Sequence, residues 1–274
     1  MSRCWLALGW LIAPIAAFAV APAAVLEMNA EGEVQIAPDG HVSDYRLTSE
    51  LAPGVAQLVD HNVRGWQFEP VLVDGKPVIA KTHVRLRLHA EPSAQGGDQY
   101  RVRIDHVDFG GPKQSPKIHP PRYPEEAVRA HLGARVLLAL KIDEQGGVAD
   151  VQPYQTSLDA RAASEAEAES WRHVFERACV AAARRWHFDV AETVNGKPIG
   201  TSLIVPLEFS LIDDGSRREL RNGQWKPYAP GPVHPAPWMN PTVAGADFST
   251  LGNGEAESLD SQFRLKDDVV GSLL

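Results

Sequence analysis

The chain has 274 residues and a formal net charge of -8, which is long enough for one or two domains with buried cores. The acidic balance argues against a general nucleic-acid-binding protein, because such a protein needs a basic surface. Its two cysteines are Cys4 and Cys179. Cys4 lies in a segment that we expect to be removed, so we expect no disulfide in the mature chain and a buried thiol at Cys179.

Residues 1–24 have the pattern of a secretory signal peptide. Arg3 supplies the positive start, an apolar run extends from Trp5 to Val20, and small residues follow in A-x-A form. The alternative is an uncleaved anchor, since the longer stretch from Trp5 to Leu26 is just long enough to span a bilayer. Both interpretations predict export, and only the anchor predicts contact with a membrane.

Residues 25–92 are predicted to form a first small α+β unit. A strand hairpin turns at Asp39-Gly40. Pro53 suits the first position of a helix, and apolar residues continue at helical spacing as far as Trp66. The remaining predicted elements of this unit are a strand at 68–73, a turn at 74–75 and a strand at 78–88.

Residues 93–121 are predicted to be a linker that contains one strand, 100–109, which the sequence assigns to neither unit. Residues 122–212 are predicted to form a second α+β unit. Residues 213–274 lack sustained periodicity and are rich in proline, which predicts an extended, largely irregular tail. The elements predicted in the second unit are a helix from Pro124 to Gly133, a hairpin turning at 146–147, a helix at 163–185 and a strand at 201–211.

A short cassette occurs once in each predicted unit. Each copy has a Trp-x-Phe after a helix-like stretch and a Gly-Lys-Pro between two strand-like stretches. The copies are Trp66-Gln67-Phe68 with Gly75-Lys76-Pro77, and Trp186-His187-Phe188 with Gly196-Lys197-Pro198. The repetition predicts two related units, each with helices packed on an antiparallel sheet. We expect Trp66 and Trp186 to fill the same place in the two cores.

The strand at 201–211 carries the candidate partner-binding residues. Its alternation predicts that the odd positions face the core. Pro206 cannot donate a ladder hydrogen bond, and prolines in sheets are confined mainly to edge strands, strand starts and bulges. The side of the strand served by Ser202, Ile204, Pro206 and Glu208 is therefore predicted to be a free edge. Such an edge can accept an extended partner segment, or Pro206 and Glu208 can protect it from unwanted pairing.

The second unit resembles the C-terminal domain of TonB-family energy transducers. The matching stretches, in the order of the family, are Arg122-Tyr123-Pro124-Glu125-Glu126-Ala127, Gly133-Ala134-Arg135-Val136, Ile142-Asp143-Glu144, Gly147-Val148, Ala183-Arg184-Arg185-Trp186-His187-Phe188, Gly196-Lys197-Pro198 and Val205-Pro206-Leu207-Glu208-Phe209. The resemblance implies a periplasmic domain of two helices on a small antiparallel sheet. Such a domain binds an extended receptor segment at a sheet edge, and Arg122, Tyr123 and Pro124 join the candidate partner-binding residues.

Two features depart from the family pattern. The N-terminus is predicted to be cleavable, whereas a full transducer keeps its N-terminal anchor. The Pro-rich stretch follows the second unit, whereas the spacer of a transducer precedes its C-terminal domain. The first unit resembles a diverged copy of the second without the Tyr-Pro helix.

The predicted function is that of a periplasmic TonB-like partner-binding protein linked to energy-dependent outer-membrane transport. The expected partner is an outer-membrane receptor or another envelope protein, and self-association into a homodimer stays open. The alternative is an envelope scaffold without energy transduction. A hydrolase or metal enzyme is a third class, but the sequence lacks H-E-x-x-H, C-x-x-C, G-x-S-x-G and phosphate-loop patterns. We therefore predict no enzyme activity, no cofactor and no metal.

Overall fold

The computed structural model describes residues 26–92, 100–112, 119–211, 229–240, 243, 246, 248–249 and 251–274. The predicted signal peptide lies outside these residues. Three parts of the chain are named below by their residues: the first segment (26–109), the second segment (119–211) and the tail (229–274). Within the described residues, no helix combines the length and the apolar character needed to cross a bilayer.

The first segment is an antiparallel sheet with one helix. Its elements are β1 (Leu26–Ile36), β2 (Val42–Leu47), α1 (Pro53–Arg64), β3 (Leu72–Val73), β4 (Lys76–Pro77), β5 (Ala80–Pro92) and β6 (Tyr100–Phe109). β1 pairs with β2 on one side and with β5 along its whole length on the other. β6, which the sequence could not place, pairs with β5 and so belongs to this sheet. The strand predicted at 68–73 is reduced to the two residues of β3.

Helix α1 begins where the sequence predicts it to begin. Pro53 lies in its first turn, where the missing N–H leaves no bond unmade. Val59 and Val63 are buried against the sheet, and the helix ends before Trp66, which is 5% exposed. The Trp66 indole N–H donates to Asn62 Oδ1 at 2.9 Å, so the buried donor is satisfied.

The second segment has the same kinds of element plus a short leading helix. Its elements are α2 (Glu125–Arg129), β7 (Ala134–Ile142), β8 (Val148–Leu158), α3 (Glu165–Ala183), β9 (Thr193–Val194), β10 (Lys197–Pro198) and β11 (Thr201–Phe209). β7 lies between β8 and β11, antiparallel to both. Helix α2 is shorter than predicted and does not reach Gly133. The chain leaves the helix at His131, whose φ is 51°, and the N–H of Leu132 bonds to the carbonyl of Ala127 at 3.0 Å.

Helix α3 has a clear start and a mixed buried face. Ser164 accepts a hydrogen bond from the N–H of Glu167 at 3.2 Å, which is a standard N-cap. Phe175 and Cys179 are fully buried, and burial raises the pKa of the Cys179 thiol. Arg172 also lies on the buried face, at 4% exposure. Arg172 tolerates this position because Glu165 accepts from its Nη1 at 2.6 Å.

The two segments share an element order and a register. In each, the first hairpin is followed by a helix, a two-residue turn and a long strand that pairs with the first strand. Ile36 pairs with Ala80 three residues after Pro77, and Ile142 pairs with Thr201 three residues after Pro198. In both turns the two loop residues have positive φ: 52° and 74° at Asp74-Gly75, and 50° and 76° at Asn195-Gly196. The same turn geometry therefore serves both cassettes.

The Trp-x-Phe residues make corresponding backbone contacts. The N–H of Phe68 donates to the carbonyl of Gly40 at 2.7 Å, and the N–H of Phe188 donates to the carbonyl of Gly146 at 2.8 Å. Each bond ties the end of the helix connection to the preceding hairpin turn. Trp186, 4% exposed, donates its indole N–H to the carbonyl of His119 at 3.0 Å.

The described residues of the tail are mostly irregular, and they are docked on both segments. It begins along the outer edge of β8, where Ala229 and Leu158 exchange backbone hydrogen bonds of 2.8 and 3.0 Å. It then covers the face of the second sheet that the helices leave open, and it contains one short strand, β12 (Glu257–Ser258). The apolar cluster under the tail contains Leu137, Ala139, Tyr154, Ile204, Ala236, Met239, Phe248, Leu251 and Leu259.

The two segments contact each other directly, and the tail also connects them. β9 of the second segment pairs with β5 of the first, with Val194 opposite Ala80, and Val194 belongs to the first core. The end of the tail also packs on the first segment: Phe263 is buried in that core, and the N–H of Leu274 donates to the carbonyl of Val102 at 2.9 Å.

Candidate partner-binding edge

β11 forms one side of the second sheet. It pairs with β7 from Thr201 to Phe209, and its odd residues Leu203, Val205 and Leu207 are buried in the helix-side core. The backbone groups that point away from β7 include those of Ser202, Pro206 and Glu208, which bond to the tail. The outward row is therefore the one that the alternation and Pro206 indicate.

This outward edge is not free, which corrects the sequence-based expectation. The N–H of Gly254 donates to the carbonyl of Pro206, and the N–H of Leu259 donates to the carbonyl of Ser202, both at 2.8 Å. β12 pairs antiparallel with β11, with Glu257 opposite Ile204. The occupant is the chain's own tail, whose irregular sequence does not predict this position.

Side chains complete the cover at both ends. The N–H and the hydroxyl of Ser202 donate to the two carboxylate oxygens of Asp260 at 2.9 and 3.0 Å. At the other end the N–H of Glu208 donates to Asn253 Oδ1 at 3.0 Å. Asp260 and Asn253 thus act as acceptors for the β11 donors that no tail carbonyl reaches.

Arg135 holds the tail from the neighbouring strand β7. Its Nη1 donates to Glu208 Oε1 at 2.6 Å, and its Nη2 donates to the carbonyls of Phe248 and Leu251 at 3.1 and 2.7 Å. The planar guanidinium can make these bonds at once, which an ammonium cannot do with the same geometry.

Arg122, Tyr123 and Pro124 lie in a different part of the domain. Arg122 is exposed, and Pro124 is the residue before helix α2. Tyr123 packs edge-on against Phe209 with ring centroids 5.3 Å apart, and its hydroxyl donates to the carbonyl of Leu132 at 2.9 Å. Burial raises the pKa of Tyr123 to about 12. The geometry gives Tyr123 a packing contact on the helix side of the sheet.

Acidic side chains meet where the tail crosses between the segments. Glu192 of the second segment is 2% exposed and accepts from Thr82 of β5 at 3.1 Å and from Ser261 of the tail at 2.7 Å. Burial raises the pKa of Glu192 to about 7. Burial, and after it the negative charge of Glu257, raise the pKa of Asp108 to about 8.

No metal-binding group of three or more His, Cys, Asp and Glu side chains occurs among the residues that the structure describes. An open groove of about 520 Å³ lies between α3 and β8 and is lined by His173, Glu176, Arg177 and Arg184, among others. His173 Nδ1 and Glu176 Oε2 are 2.9 Å apart, a pair at i and i+3 on the exposed side of a helix. Such pairs are common surface contacts.

Comparison with known proteins agrees with this geometry. The second segment is a small α+β domain with two helices and an antiparallel sheet, and residues 119–211 match the family model described as Gram-negative bacterial TonB protein C-terminal. Protein TonB of Xanthomonas campestris pv. campestris strain B100 is 33% identical over 97 residues, which cover 35% of this chain and 37% of that protein. The same values hold for Protein TonB of a second strain of this pathovar.

The chain thus spans 37% of the length of the curated relatives that it matches. No solved structure matches it. The family model and the relatives support a TonB C-terminal domain in the second segment, and both matches are confined to about a third of the chain.

Proposed function

We propose that this protein is a periplasmic TonB-like partner-binding protein that serves energy-dependent outer-membrane transport. In this proposal β11 binds an extended segment of an outer-membrane receptor, or of another envelope protein, by adding it to the sheet. The main support for this proposal is that the outward backbone groups of β11 already pair with an extended strand, in which Glu257 lies opposite Ile204. Strand addition of this kind gains affinity from main-chain hydrogen bonds and specificity from side-chain pockets.

The proposal includes a division of the chain into two related units. Its support is the common element order, the matched register and the equal turn geometry of the two segments. The proposed parts are a signal peptide at 1–24, a diverged first unit from 25, a TonB C-terminal-like unit at 122–212 and a tail from 213. Pairing of β6 with β5 extends the first unit from 92 to Phe109 and shortens the linker accordingly.

The role is one of binding, without a catalytic step. Its candidate partner-binding residues are Ser202, Ile204, Pro206 and Glu208. Tyr123 then supports the domain through its packing on Phe209, which adjoins Glu208. Should the chain also form a homodimer, we propose β2 as the contact, because β2 is an end strand of the first sheet and an end strand can pair with its own copy.

An NMR titration of the mature full chain with N-terminal segments of outer-membrane receptors tests the binding role. Shifts concentrated between Ser202 and Glu208 are expected. Shifts confined to the first segment, with β11 unchanged, contradict the proposed site.

A matched pair of variants at Glu208 sharpens this test. Glu208→Pro removes the outward N–H, while Glu208→Ala keeps it, and both lose the contact with Arg135. We expect the Pro variant to bind the receptor segment roughly three to ten times more weakly than the Ala variant, which is the worth of about one backbone hydrogen bond. Equal affinities would argue against main-chain recognition at this edge.

An envelope scaffold without energy transduction is the second candidate. The observation that favours it is the covered edge, since Pro206 and Asn253 together leave little of β11 open. The same titration separates the two roles, because a scaffold leaves the β11 resonances unchanged by receptor segments.

A further inference from the structure

We propose that tail residues 253–260 are a displaceable internal occupant of the β11 edge. Their contacts define the external segment that the edge accepts: an extended chain with a small residue, an aliphatic residue and a carboxylate at the places of Ala256, Leu259 and Asp260. The inference rests on the proposed function, because it assigns a ligand class and a regulation to the same edge.

The pairing between the tail and β11 is short. β12 is paired with β11 at Leu203 and Ile204, and single backbone bonds reach Ser202 and Pro206. On its other side, β11 is paired with β7 over its whole length. A short run of ladder bonds near the surface opens locally at lower free energy than a full-length strand pair.

Buried anchors flank the occupant on both sides. Leu251 is buried in the cluster on the outer face of the second sheet, and Phe263 is buried in the core of the first segment. Between these two residues the backbone turns at Gly252 and Gly254, where the N–H of Glu255 bonds to the carbonyl of Gly252 at 3.0 Å. The anchors can therefore hold the tail in place while the strand leaves β11, a step that uncovers the buried side chains of Ala256 and Leu259. The tether keeps its effective concentration high, so a weak internal strand can hold off a partner.

The chemistry of the occupied positions describes the ligand. Ala256, 2% exposed, lies in the helix-side core, and its carbonyl accepts from Arg85 Nη1 at 3.2 Å. Leu259 is buried on the opposite face of the sheet. Asp260 accepts from both the N–H and the hydroxyl of Ser202. The side chains of an added strand would thus contact both faces of the sheet in alternation, and Ser202 would bind a carboxylate at one end.

Two matched double variants test the inference. Asn253→Ala with Asp260→Ala removes the side-chain bonds of the cover, while Gln262→Ala with Asp267→Ala makes the same change in charge and similar changes in size at exposed tail positions. The probes are a synthetic peptide of residues 251–262 and one receptor N-terminal segment. The first variant should bind the tail peptide about tenfold more tightly than wild type, with shifts from Ser202 to Glu208. The control variant should bind as wild type does. Equal affinity in all three proteins overturns the inference.

Hydrogen exchange of the wild-type chain measures displacement of the tail directly, without a variant. The amides of Gly254 and Leu259 donate to β11, so they should exchange faster when either peptide is bound. A peptide that binds while both amides keep their protection overturns the displacement. If the tail peptide binds β11 and no receptor segment does, the internal occupant is supported and the proposed receptor function fails.

Discussion

β5 and β11 hold corresponding places in the two segments, but their outer edges are closed very differently. β6 covers β5 from Val84 to Pro92, and β9 covers it at Ala80 and Lys81. β11 is covered at Leu203 and Ile204 by β12, with side-chain caps at each end. The strand in this position is therefore an interior strand of the first sheet. In the second sheet the corresponding strand is paired on its outer side at two residues.

The difference follows from what comes next in the chain. After β5, residues 93–99 separate it from β6, and β6 returns beside it. Among the described residues after β11, those that cover its outer edge begin at Asn253, and the strand they form has two residues. Sheet edges invite pairing with other chains, so the proposed strand addition concerns the β11 edge and not the β5 edge, which β6 and β9 close.

Replacing the two tryptophans tests the similarity on which this comparison depends. Trp66→Ala and Trp186→Ala each remove a buried indole, at 5% and 4% exposure, so each should lower the free energy of unfolding by about 3–5 kcal/mol. Chemical denaturation followed by circular dichroism measures the loss. Leu72→Ala, at a side chain that is 57% exposed, is the control and should change stability little. A large effect at one tryptophan with none at the other would break the correspondence.

Arg135→Ala should weaken the β11 edge and leave the β5 edge alone. The change removes the bonds to Glu208, Phe248 and Leu251, which should lower the free energy of tail opening by about 1–3 kcal/mol. Hydrogen exchange at the Leu259 amide measures this opening. Arg101→Ala, at an exposed position of β6, serves as the control. Equal acceleration at β5 amides would mean that the two edges open together.

Raising the pH should loosen the tail where it meets both segments. The carboxyl pKa values of Glu192 and Asp108 are about 7 and 8 in the folded protein, against ordinary values of 4.5 and 3.8. The folded state therefore binds more protons between about pH 4 and pH 8. The stabilisation is complete below about pH 4 and is lost as the pH rises through 7 and 8, with a slope of up to about 1.4 kcal/mol per pH unit for each group.

Burial is the largest cause of both pKa shifts, and the groups that face these carboxyls modify it. They are Glu257, Arg85, Thr82, Ser261, Asp260 and the backbone of Ser258. Unfolding measured from pH 5 to pH 8.5 should show falling stability in wild type and a flatter profile in Glu192→Gln. Glu144→Gln, at an exposed position, should keep the wild-type slope. If the stability of Glu192→Gln varies with pH as that of the wild type does, Glu192 is not a source of the pH dependence.

The smallest effect is expected at the paired turns. A Cβ at Gly75 or at Gly196 meets no atom within 4 Å, so only the positive φ of 74° or 76° opposes alanine. Gly75→Ala and Gly196→Ala should each cost about 1 kcal/mol. Thermal unfolding measures both, and losses that differ by more than about 1 kcal/mol would show that one turn is strained by its surroundings.

Local signals in the sequence predicted local structure well. Pro53 marks the start of α1, the Asp39-Gly40 turn lies between β1 and β2, and the alternation around Pro206 identifies the outward row of β11. Each of these depends on φ preferences or on side-chain period, which neighbouring residues alone determine.

Long-range pairing could not be predicted in this way. The sequence of β6 does not indicate that β5 is its partner, and nothing near Asp260 indicates Ser202. The burial of Arg172 depends on two glutamates on its own helix, Glu165 and Glu169, and on the tail residue Gly231 that passes beside it. Irregular segments carry no period, so a tail that covers a sheet looks the same in sequence as one that does not.

The tail's last residues also constrain how the molecule can fold. Phe263 and Val194 belong to the core of the first segment, yet both are made long after Trp66 has been synthesised. The core of the first segment is therefore complete only when the tail residue Phe263 is in place. Contacts this distant in sequence slow folding and prolong the exposure of apolar surface. Truncation before Phe263 should accordingly destabilise the first segment, although that segment lies at the other end of the described chain.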